Sequence, residues 1–458
     1  MKRSLTTGLC ATALLLSGCT MAPRYVRPAA PVPEQWPSGA AYPQVQEDKA
    51  GLPWQSLITD ARLREVITRM LANNRDLRAA VANVVAARAQ YRADRSQIFP
   101  TLLGQAAGAR TGGNSTTSTY NSLGLGLSSF EVDLWGRLRN QASAGFETYL
   151  ATQSGMRSTK LSLVQETALA YVTLAYDEDL LTIAKSTEQS AQKSLELTQS
   201  LFNAGLGAAG DVESAKTIVA QAQSDVAANT TQVAQDRNAL DLLVGAHVED
   251  SLLPASLSQI DGTIALVPAG LSSTVLLQRP DVVEAEHTLK SANYSIGAAR
   301  AAFFPTISLT AAAGFASAGL SDLFKSGSSG WSVQPNASVP LLGGATHANL
   351  AYAKATRDAD VAKYEKAVQQ AFADVADALA RRGTINEQRA AQGRLVNAAQ
   401  RSLTLSEDQY RAGTQAYVAV LTAQRTLYAA RQTQVAATLA DLSNRLSLYT
   451  AIGADDTL

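Results

Sequence analysis

Residues 345–411 read ATHANLAYAKATRDADVAKYEKAVQQAFADVADALARRGTINEQRAAQGRLVNAAQRSLTLSEDQYR, a run of 67 residues without proline. Its only glycines are Gly383 and Gly393, and most of its other residues are compatible with a helix. At about 1.5 Å per residue, a helix of this length reaches roughly 100 Å, which few compact domains can use. The stretch therefore predicts a long rod rather than one helix of a globular domain.

One face of this rod repeats with the spacings of three and four that are typical of a coiled coil. Its members are Val361, Tyr364, Val368, Ala371, Val375 and Ala378. A second proline-free run, residues 137–203, has a similar face formed by Leu161, Val164, Ala168, Tyr171 and Ala175. Because the first seam is rich in Ala and Val and poor in Leu, it favours close, shallow packing between parallel rods.

The composition argues against several classes of site. The chain has 458 residues, 46% of them hydrophobic, and its 39 basic residues balance 39 acidic ones, which gives no reason to expect a nucleic-acid partner. Cys10 and Cys19 are the only cysteines, so no thiolate metal site is possible in the rest of the chain. His247, His287 and His347 form no ligand spacing, and no phosphate-binding or dinucleotide motif occurs. We therefore predict no enzyme activity, no cofactor and no metal.

The N-terminus has the pattern of a targeting segment. A basic start precedes a short apolar core, residues 9–16, which is too short to span a bilayer as a helix. The next residues, Leu16-Ser17-Gly18-Cys19, resemble a bacterial lipobox, in which cleavage leaves Cys19 as an acylated N-terminus. We favour this lipoprotein signal, with Cys19 carrying the lipid, over an ordinary secretory signal with an incidental cysteine.

The residues that follow predict a destination and an extended connection. Thr20 stands where Asp favours retention in the inner membrane, so we expect Cys19 to anchor the chain in outer-membrane lipid, with its body in the periplasm. Half of the 14 prolines fall between Pro23 and Pro53, and such a stretch forms neither a helix nor a central strand. It is interpreted as an extended strap that leads from the anchor along the body.

Four segments have the period of two that predicts β-strands. The alternation is clearest in residues 331–341, where Trp331, Val333 and Val339 share one face. The other three segments are residues 101–110, 123–127 and 306–315. Residues 112–116 and 317–330 have loop chemistry and arrange the strands into two hairpins.

Each predicted strand has about ten residues, one apolar face and one face of small polar residues. Ten residues is about the length of a tilted transmembrane strand. Pro335 argues against an interior strand of a conventional sheet, since proline cannot donate to the ladder. We favour a membrane sheet, which the lipoprotein signal supports, over a small soluble antiparallel sheet packed on the helices.

The chain also repeats itself once. Residues 98–102 (IFPTL) match residues 303–307 (FFPTI) at an offset of 205 (303 − 98), and residues 202–205 (FNAG) match residues 410–413 (YRAG) at an offset of 208 (410 − 202). Each half is predicted to contain a short helix, a hairpin, a very long helix, a turn and a returning helix. The predicted boundaries are 1–18 for the signal peptide, 19–58 for the anchored extended segment, 59–244 for the first repeat, 245–280 for an equatorial linker, 281–449 for the second repeat and 450–458 for the tail.

Four strands cannot close a barrel, and an open sheet edge is not tolerated in hydrocarbon. The smallest outer-membrane barrels have about eight strands, so several copies of the chain must associate. With four strands from each chain, two copies would supply eight strands (2 × 4) and three copies twelve (3 × 4). The residues alone do not decide between two and three copies.

These features together resemble a known family. The residues that carry the resemblance are the lipobox, the Phe-Pro-Thr hairpin starts, the run FEVDLWGR at 130–137 and Thr422-Ala423-Gln424-Arg425. They are similar to the outer-membrane factors of tripartite efflux pumps, the TolC-like proteins, and most to the OprM-type lipoprotein branch. The resemblance implies a mixed α and β fold: a homotrimer with one twelve-stranded transmembrane β-barrel, four strands from each chain, continued by a long periplasmic α-helical barrel.

The same resemblance implies a function and partners. The protein is expected to be a passive exit duct that exports antibiotics and other toxic small molecules and is gated at its periplasmic tip. A periplasmic adaptor (membrane fusion protein) and an inner-membrane, proton-driven transporter of the RND type would feed it. A type I protein-secretion duct and a structural periplasmic coiled-coil lipoprotein are the alternatives.

Three residues are gate candidates: Val418, Thr422 and Arg425, whose spacings of four and three place them on one helix face. In OprM-like relatives this face lines the closed periplasmic mouth, and an Asp commonly precedes the Arg by three residues. Here Thr422 replaces that Asp, so a carboxylate–guanidinium lock within this turn is in doubt. Arg425 then either pairs with a carboxylate on a neighbouring helix or is simply exposed.

Two further groups are expected to shape the molecule. Asn203, Gly205, Leu206, Arg411, Gly413 and Thr414 resemble the family's paired periplasmic tips, which dock the adaptor, although each turn also has the chemistry of a plain helix–helix connection. Asp133, Trp135 and Gly136 lie where strand becomes helix. We interpret them as a structural corner in which Asp133 favours the helix N-terminus and Trp135 suits a membrane interface.

Overall fold

The computed structural model describes residues 20–42, 53–113, 116–267, 272–453 and 455. The predicted signal peptide and Cys19 lie outside this range. The helices are α1 (Trp54–Leu57), α2 (Ala61–Asn73), α3 (Arg75–Ser96), α4 (Arg137–Asn203), α5 (Ala209–Val244), α6 (Pro280–Ala301), α7 (Gly344–Arg411) and α8 (Tyr417–Ile452). The strands are β1 (Leu102–Gly113), β2 (Thr116–Val132), β3 (Thr306–Ser317) and β4 (Ser329–Ser338).

Both predicted rods are present as unbroken helices. Helix α4 has the predicted bounds, and α7 begins one residue earlier than predicted. The predicted seams are buried except for Val361, which is half-buried, and Ala168 and Tyr171 on α4 and Tyr364 and Ala371 on α7 are fully enclosed. These two seam predictions are confirmed, because a spacing of three and four placed the apolar side chains on one face.

The four strands form one antiparallel sheet in the order β1-β2-β3-β4. The two predicted hairpins are therefore joined, since β2 pairs with β3 from Asn121–Ser317 to Val132–Ile307. Strands β1 and β4 are its edges, and Pro335 lies in the edge strand β4. That position suits a residue that has no N–H to donate.

Three sequence predictions about the strands were wrong in extent. Strand β2 has 17 residues, more than the roughly ten predicted around the alternating segment 123–127, because pairing with β1 extends the ladder through a Thr- and Ser-rich segment. Both predicted loops are shorter than expected: Gly112, Gly113 and Thr116 belong to strands rather than to the loop at 112–116, and Ser317, Ser329 and Gly330 belong to strands rather than to the loop at 317–330. Strand β4 ends at Ser338 and not at Leu341, two residues before Pro340, which has no N–H to continue the ladder.

One correction concerns the extended segment. Residues 54–57 form the short helix α1 inside the range 19–58 that was predicted to be extended. Helix α1 begins directly after Pro53, where a proline is well tolerated, and it buries Trp54 and Leu57. The described residues before position 43 contain no regular helix or strand, as the prolines predicted.

The two edge strands of the sheet are uncovered in the described part of the chain. Every residue of β1 and β4 is exposed, and Trp331 keeps 79% of its surface accessible. Among the described helices, none combines the length and apolar character that a membrane crossing needs.

By its internal contacts the chain divides into two compact units. The first contains residues 20–29, 82–154 and 283–366, and therefore the sheet and the N-terminal segment. The second contains residues 30–81, 155–282 and 367–455, with helices α5 and α8 and short 3₁₀ turns between α5 and α6.

Candidate gate, docking turns and corner

The turn between α4 and α5 ends the first long helix on a left-handed glycine. Gly205 has φ of +72°, a conformation that costs other residues more than glycine. The N–H of Leu206 donates to the carbonyl of Leu201 at 2.9 Å, and that of Gly205 donates to Phe202 at 2.9 Å. This is the Schellman arrangement, which satisfies carbonyls that a helix end leaves without partners.

The turn between α7 and α8 repeats that geometry. Gly413 has φ of +71°, and the N–H of Thr414 donates to the carbonyl of Gln409 at 3.0 Å. All six tip candidates are exposed: Asn203, Gly205, Leu206, Arg411, Gly413 and Thr414. The same exposed turn therefore follows each of the two long helices.

An apolar cluster lies behind the second turn. It comprises the buried residues Ala215, Ala399, Leu403, Tyr410, Tyr417, Val420, Ala423, Leu427 and Ala430. The rings of Tyr410 and Tyr417 are 5.1 Å apart, and the Tyr417 hydroxyl lies 2.9 Å from Ser194 Oγ on α4. Helices α4, α7 and α8 therefore meet through both apolar contact and a buried hydrogen bond.

A second polar contact joins α5 to α8. The Tyr428 hydroxyl donates to Asp225 Oδ2 at 2.9 Å. Burial, and then the hydrogen bond to Asp225, raise the pKa of Tyr428 to about 12. The hydroxyl therefore stays protonated and remains a donor at neutral pH.

The predicted gate residues share one exposed face of α8. Val418 keeps 64% of its surface accessible, and Thr422 and Arg425 are also exposed. The Thr422 hydroxyl donates to the carbonyl of Val418 at 2.8 Å, so it is bound to its own helix. In the described part of the chain, Arg425 has no ion-pair partner. The structure brings the three residues together without forming a lock inside one chain.

Sequence reasoning missed Gln424, which lies on the opposite, buried face of α8. Its side chain shares the stripe formed by Tyr417, Val420 and Leu427, and only 7% of the residue is accessible. Neither Oε1 nor Nε2 of the Gln424 amide has a hydrogen-bond partner among the described residues. The sequence signal that could have identified Gln424 is a single amide among apolar residues at spacings of three, four and three, from Tyr417 to Leu427.

The predicted corner fastens the start of α4 with charged hydrogen bonds. Asp133 Oδ2 accepts the backbone N–H of Arg139 at 2.9 Å and its side-chain Nε at 3.3 Å. Glu131 holds Arg137 through two contacts, one of them Nε to Oε1 at 2.8 Å. The hydrogen bond to Glu131 also raises the pKa of Arg137. Acidic groups at a helix N-terminus and paired guanidinium groups both favour this geometry.

Trp135 joins the same corner to the start of β3. Its indole N–H donates to the carbonyl of Pro305 at 3.0 Å, and its ring stacks on Phe304 with centroids 4.7 Å apart. Gly136 follows with φ of +77°, which lets the chain turn from the strand into α4.

One face of α6 binds the N-terminal segment. Glu286 on this face accepts the Tyr25 hydroxyl at 3.2 Å and Arg27 Nη2 at 2.6 Å, and Lys290 Nζ lies 3.0 Å from it. Burial raises the pKa of Glu286, but the hydrogen bonds from Arg27 and Lys290 outweigh burial, so the pKa is lowered. The carboxylate is therefore charged and holds three donors at once.

The contacts continue toward residue 20. Asn293 on α6 donates to the carbonyl of Pro23 at 2.7 Å, and Thr20 donates to Asn140 at 2.8 Å. Gly297 permits this close approach, since a Cβ there would lie 2.6 Å from the backbone nitrogen of Ala22. The segment directly behind Cys19 is thus tied to the first unit, while Cys19 itself lies outside the described residues.

The sequence profile described as "Outer membrane efflux protein" matches residues 66–246 and 271–454, most of the chain. The chain belongs to the outer membrane efflux protein family. It is 41% identical over 453 residues to the solvent efflux pump outer membrane protein SrpC of Pseudomonas putida, with 96% of each chain covered. It is 39% identical over 450 residues to the cation efflux system protein CusC of Escherichia coli, covering 96% of this chain and 97% of CusC.

Solved structures agree with this assignment. The open state of the MtrE outer membrane channel of Neisseria gonorrhoeae matches with a TM-score of 0.86 at 34% identity, covering 95% of this chain and 99% of that one. The resemblance expected from the lipobox, the repeat and the FEVDLWGR run is therefore confirmed. This efflux protein acts in the outer membrane.

Proposed function

We propose that this protein is the exit duct of a tripartite efflux system, a passive conduit that carries toxic small molecules across the outer membrane. The observation that carries the proposal is a four-stranded sheet with two exposed edge strands, in a chain that also has two helices of 67 and 68 residues. The similarity to efflux outer membrane proteins over nearly the whole chain supports it.

The unpaired edges of the sheet support association of copies. Strands β1 and β4 have no second neighbour in the described chain, and open edges are not tolerated in hydrocarbon. At about 3.3 Å per residue, strands of 10 to 17 residues are long enough to cross an outer membrane. We propose that three copies close one twelve-stranded barrel, with β1 of one copy pairing with β4 of the next.

The N-terminal contacts support a lipid anchor. Acylation of Cys19 would place the lipid one residue before Thr20, which is hydrogen bonded to Asn140 in the first turn of α4. The anchor would then lie at a defined place on the first unit. Labelled palmitate should enter the wild-type chain and not a Cys19→Ser variant.

The exposed turns and the face of α8 support a gate and a docking site. We propose that the turns at Gly205 and Gly413 contact a periplasmic adaptor, because exposed turns on rigid helices are suitable docking points. The face with Val418 and Arg425 is proposed to line the closed mouth and to move outward when the helices separate. An inner-membrane transporter of the RND type would supply the energy.

The names of the relatives point to more than one cargo. SrpC is a solvent efflux protein and CusC belongs to a cation efflux system, and the chain is about equally similar to both. We propose apolar and amphiphilic toxic molecules, antibiotics included, as the cargo. The duct itself would make no bond and bind no nucleotide.

A deletion strain tests the function. Sensitivity to a panel of antibiotics, dyes, bile salts, solvents and metal ions should rise for the exported classes and return to normal with the wild-type gene. A Gly136→Val variant, which puts a β-branched residue at a left-handed position, should fail to complement. An unchanged panel in a strain without a second duct would contradict the proposal.

A further inference from the structure

The buried face of α8 contains one polar residue among apolar neighbours. Tyr417, Val420 and Leu427 lie on this face with at most 5% of their surface accessible, and Gln424 continues the same stripe. The neighbouring cluster is built from Ala, Val, Leu and Tyr side chains. Gln424 is therefore a buried amide in an otherwise apolar seam.

The amide of Gln424 has no partner in the packed arrangement. A glutamine offers two donors and one acceptor oxygen with two lone pairs. Both the oxygen and the nitrogen are buried, and neither reaches a donor or acceptor in the described residues. Because both atoms are inaccessible, bulk water and a second copy of the chain reach them only after the helices separate.

Other polar groups along the same helix are satisfied. Seven residues earlier, the Tyr417 hydroxyl lies 2.9 Å from Ser194 Oγ, and four residues later the Tyr428 hydroxyl donates to Asp225 at 2.9 Å. Among the described residues of α8, Gln424 is the only one with buried side-chain atoms that lack a partner, although Tyr410 Oη and Gln415 Oε1 just before the helix lack one as well. Gln424 lies in the turn of α8 that carries Thr422 and Arg425 on its other face. Local conflicts of this kind are expected at functional sites.

We propose that Gln424 is a positioning residue of the gate, whose unsatisfied amide weakens the packing of α8 at that turn so that the helix can separate there. This inference rests on the proposed gate and deepens it. Leaving a buried polar group without a partner shifts the equilibrium by about tenfold away from the packed form. Once the helices separate, the amide bonds to water and the penalty is removed.

Two substitutions at Gln424 have opposite expected effects. Gln424→Leu fills the seam with an apolar side chain, so the thermal midpoint of the purified full-length protein should rise. Its open fraction in planar lipid bilayers should fall by about tenfold. Gln424→Glu places a carboxylate at the same position, so the midpoint should fall and the open fraction should rise. If Gln424 only filled space in the seam, the two substitutions would not be expected to change the midpoint and the open fraction in opposite directions.

Gln432→Leu is the matched control. It lies two turns further along α8, and its side chain is only half-buried. This variant should leave both the midpoint and the open fraction within the range of repeated wild-type measurements. A general effect of an added Leu on α8 would appear in both Leu variants.

The outcomes separate this inference from the proposed function. If the wild-type protein opens no conducting path, the proposed duct and this inference both fail. If the wild type conducts and the two Gln424 variants open as often as it does, only the inference is overturned. A Gln424→Leu protein that melts earlier than the wild type also overturns it, and if that variant does not fold, the Gln424→Glu arm decides alone.

Discussion

The two ends of helix α4 are held in different ways. Its first turn is fastened by Asp133 and by the Glu131–Arg137 pair, and the preceding Trp135 stacks on Phe304. Its last turn passes into an exposed connection that is held by backbone hydrogen bonds around Gly205. The first end is fixed by charged and aromatic side chains. At the second end Leu201 packs against the apolar cluster, and Asn203 and Leu206 in the connecting turn are exposed.

The difference indicates which end is built to move. Elements that change arrangement are drawn from parts with exposed backbone hydrogen bonds and few fixed side chains. The neighbouring turn of α8 adds Arg425, which is exposed and has no ion pair among the described residues. We therefore expect the strand-to-helix corner to behave as a fixed support and the tip as the movable part.

The largest expected contrast is between two aspartates, one from each region. Asp133→Ala removes a side chain that caps α4 and binds Arg139, and it should lower the free energy of unfolding by about 2 kcal/mol. Asp408→Ala, at the tip, removes only an exposed pair with Arg411 and should cost less than about 0.5 kcal/mol. Thermal or denaturant unfolding in detergent measures both. Equal losses would show that the corner is no more firmly held than the tip.

Two glycines with the same backbone conformation sharpen the comparison. Gly136→Ala and Gly413→Ala each place a Cβ at a φ near +75°, a strain of about 1–2 kcal/mol. At the corner this strain should lower the midpoint of global unfolding. At the tip it should be relieved by local fraying and appear as weaker binding of the purified adaptor. A fall in the global midpoint for Gly413→Ala, equal to that for Gly136→Ala, would contradict the contrast.

The middle of α4 should also respond to pH. Burial and then a hydrogen bond with Asp236 raise the pKa of Asp177, which lies in this part of the helix, to about 7. Between about pH 4 and 7 the folded state keeps a proton that the unfolded state has lost. Stability contributed by Asp177 should therefore decrease as pH rises through this window, by at least about 1 kcal/mol.

The measurement is a series of unfolding midpoints from pH 4.5 to 7.5. Asp177→Asn keeps the shape of the side chain and removes its titration, so it should flatten the slope. Asp211→Asn, on α5 in the same unit, is the control and should retain it. A wild-type protein that becomes more stable across this range would contradict the assignment.

The smallest expected effect concerns Thr422 in the proposed gate. Thr422→Asp puts a carboxylate three residues before Arg425 on the exposed face of α8 and should stabilise the helix by about 0.3–0.5 kcal/mol. If this face closes the mouth, passive entry of a large polar antibiotic into cells should also decrease. Thr426→Asp, one residue beyond Arg425, is the control and should leave entry unchanged.

Much of the fold could be predicted because its signals are local. A proline-free run with an apolar seam can be recognised without knowing what packs against it. Helix α4 accordingly has the bounds that the sequence predicted. The length of β2 was missed because its first half is defined by pairing with β1, a contact that composition does not reveal. The end of β4 was missed because the apolar alternation continued past Pro340 while the strand did not.

Prediction of the candidate site was limited in the same way, because contacts between distant residues leave no local signal. The sequence placed Val418, Thr422 and Arg425 on one face from spacing alone, and the structure agrees with that placement. It did not reveal Gln424, since an amide is common on helix surfaces and its burial depends on helices far away in the chain. The binding of residues 20–27 to α6 was likewise invisible, because Glu286 and Gly297 have no distinctive local motif.

One chain supplies too few strands to close a barrel, and we propose that three copies complete it. The most direct measurement is the mass of the mature, full-length protein extracted from the outer membrane in detergent, determined by native mass spectrometry. The account predicts an assembly of three chains. A single chain that stays dissolved without detergent would contradict it.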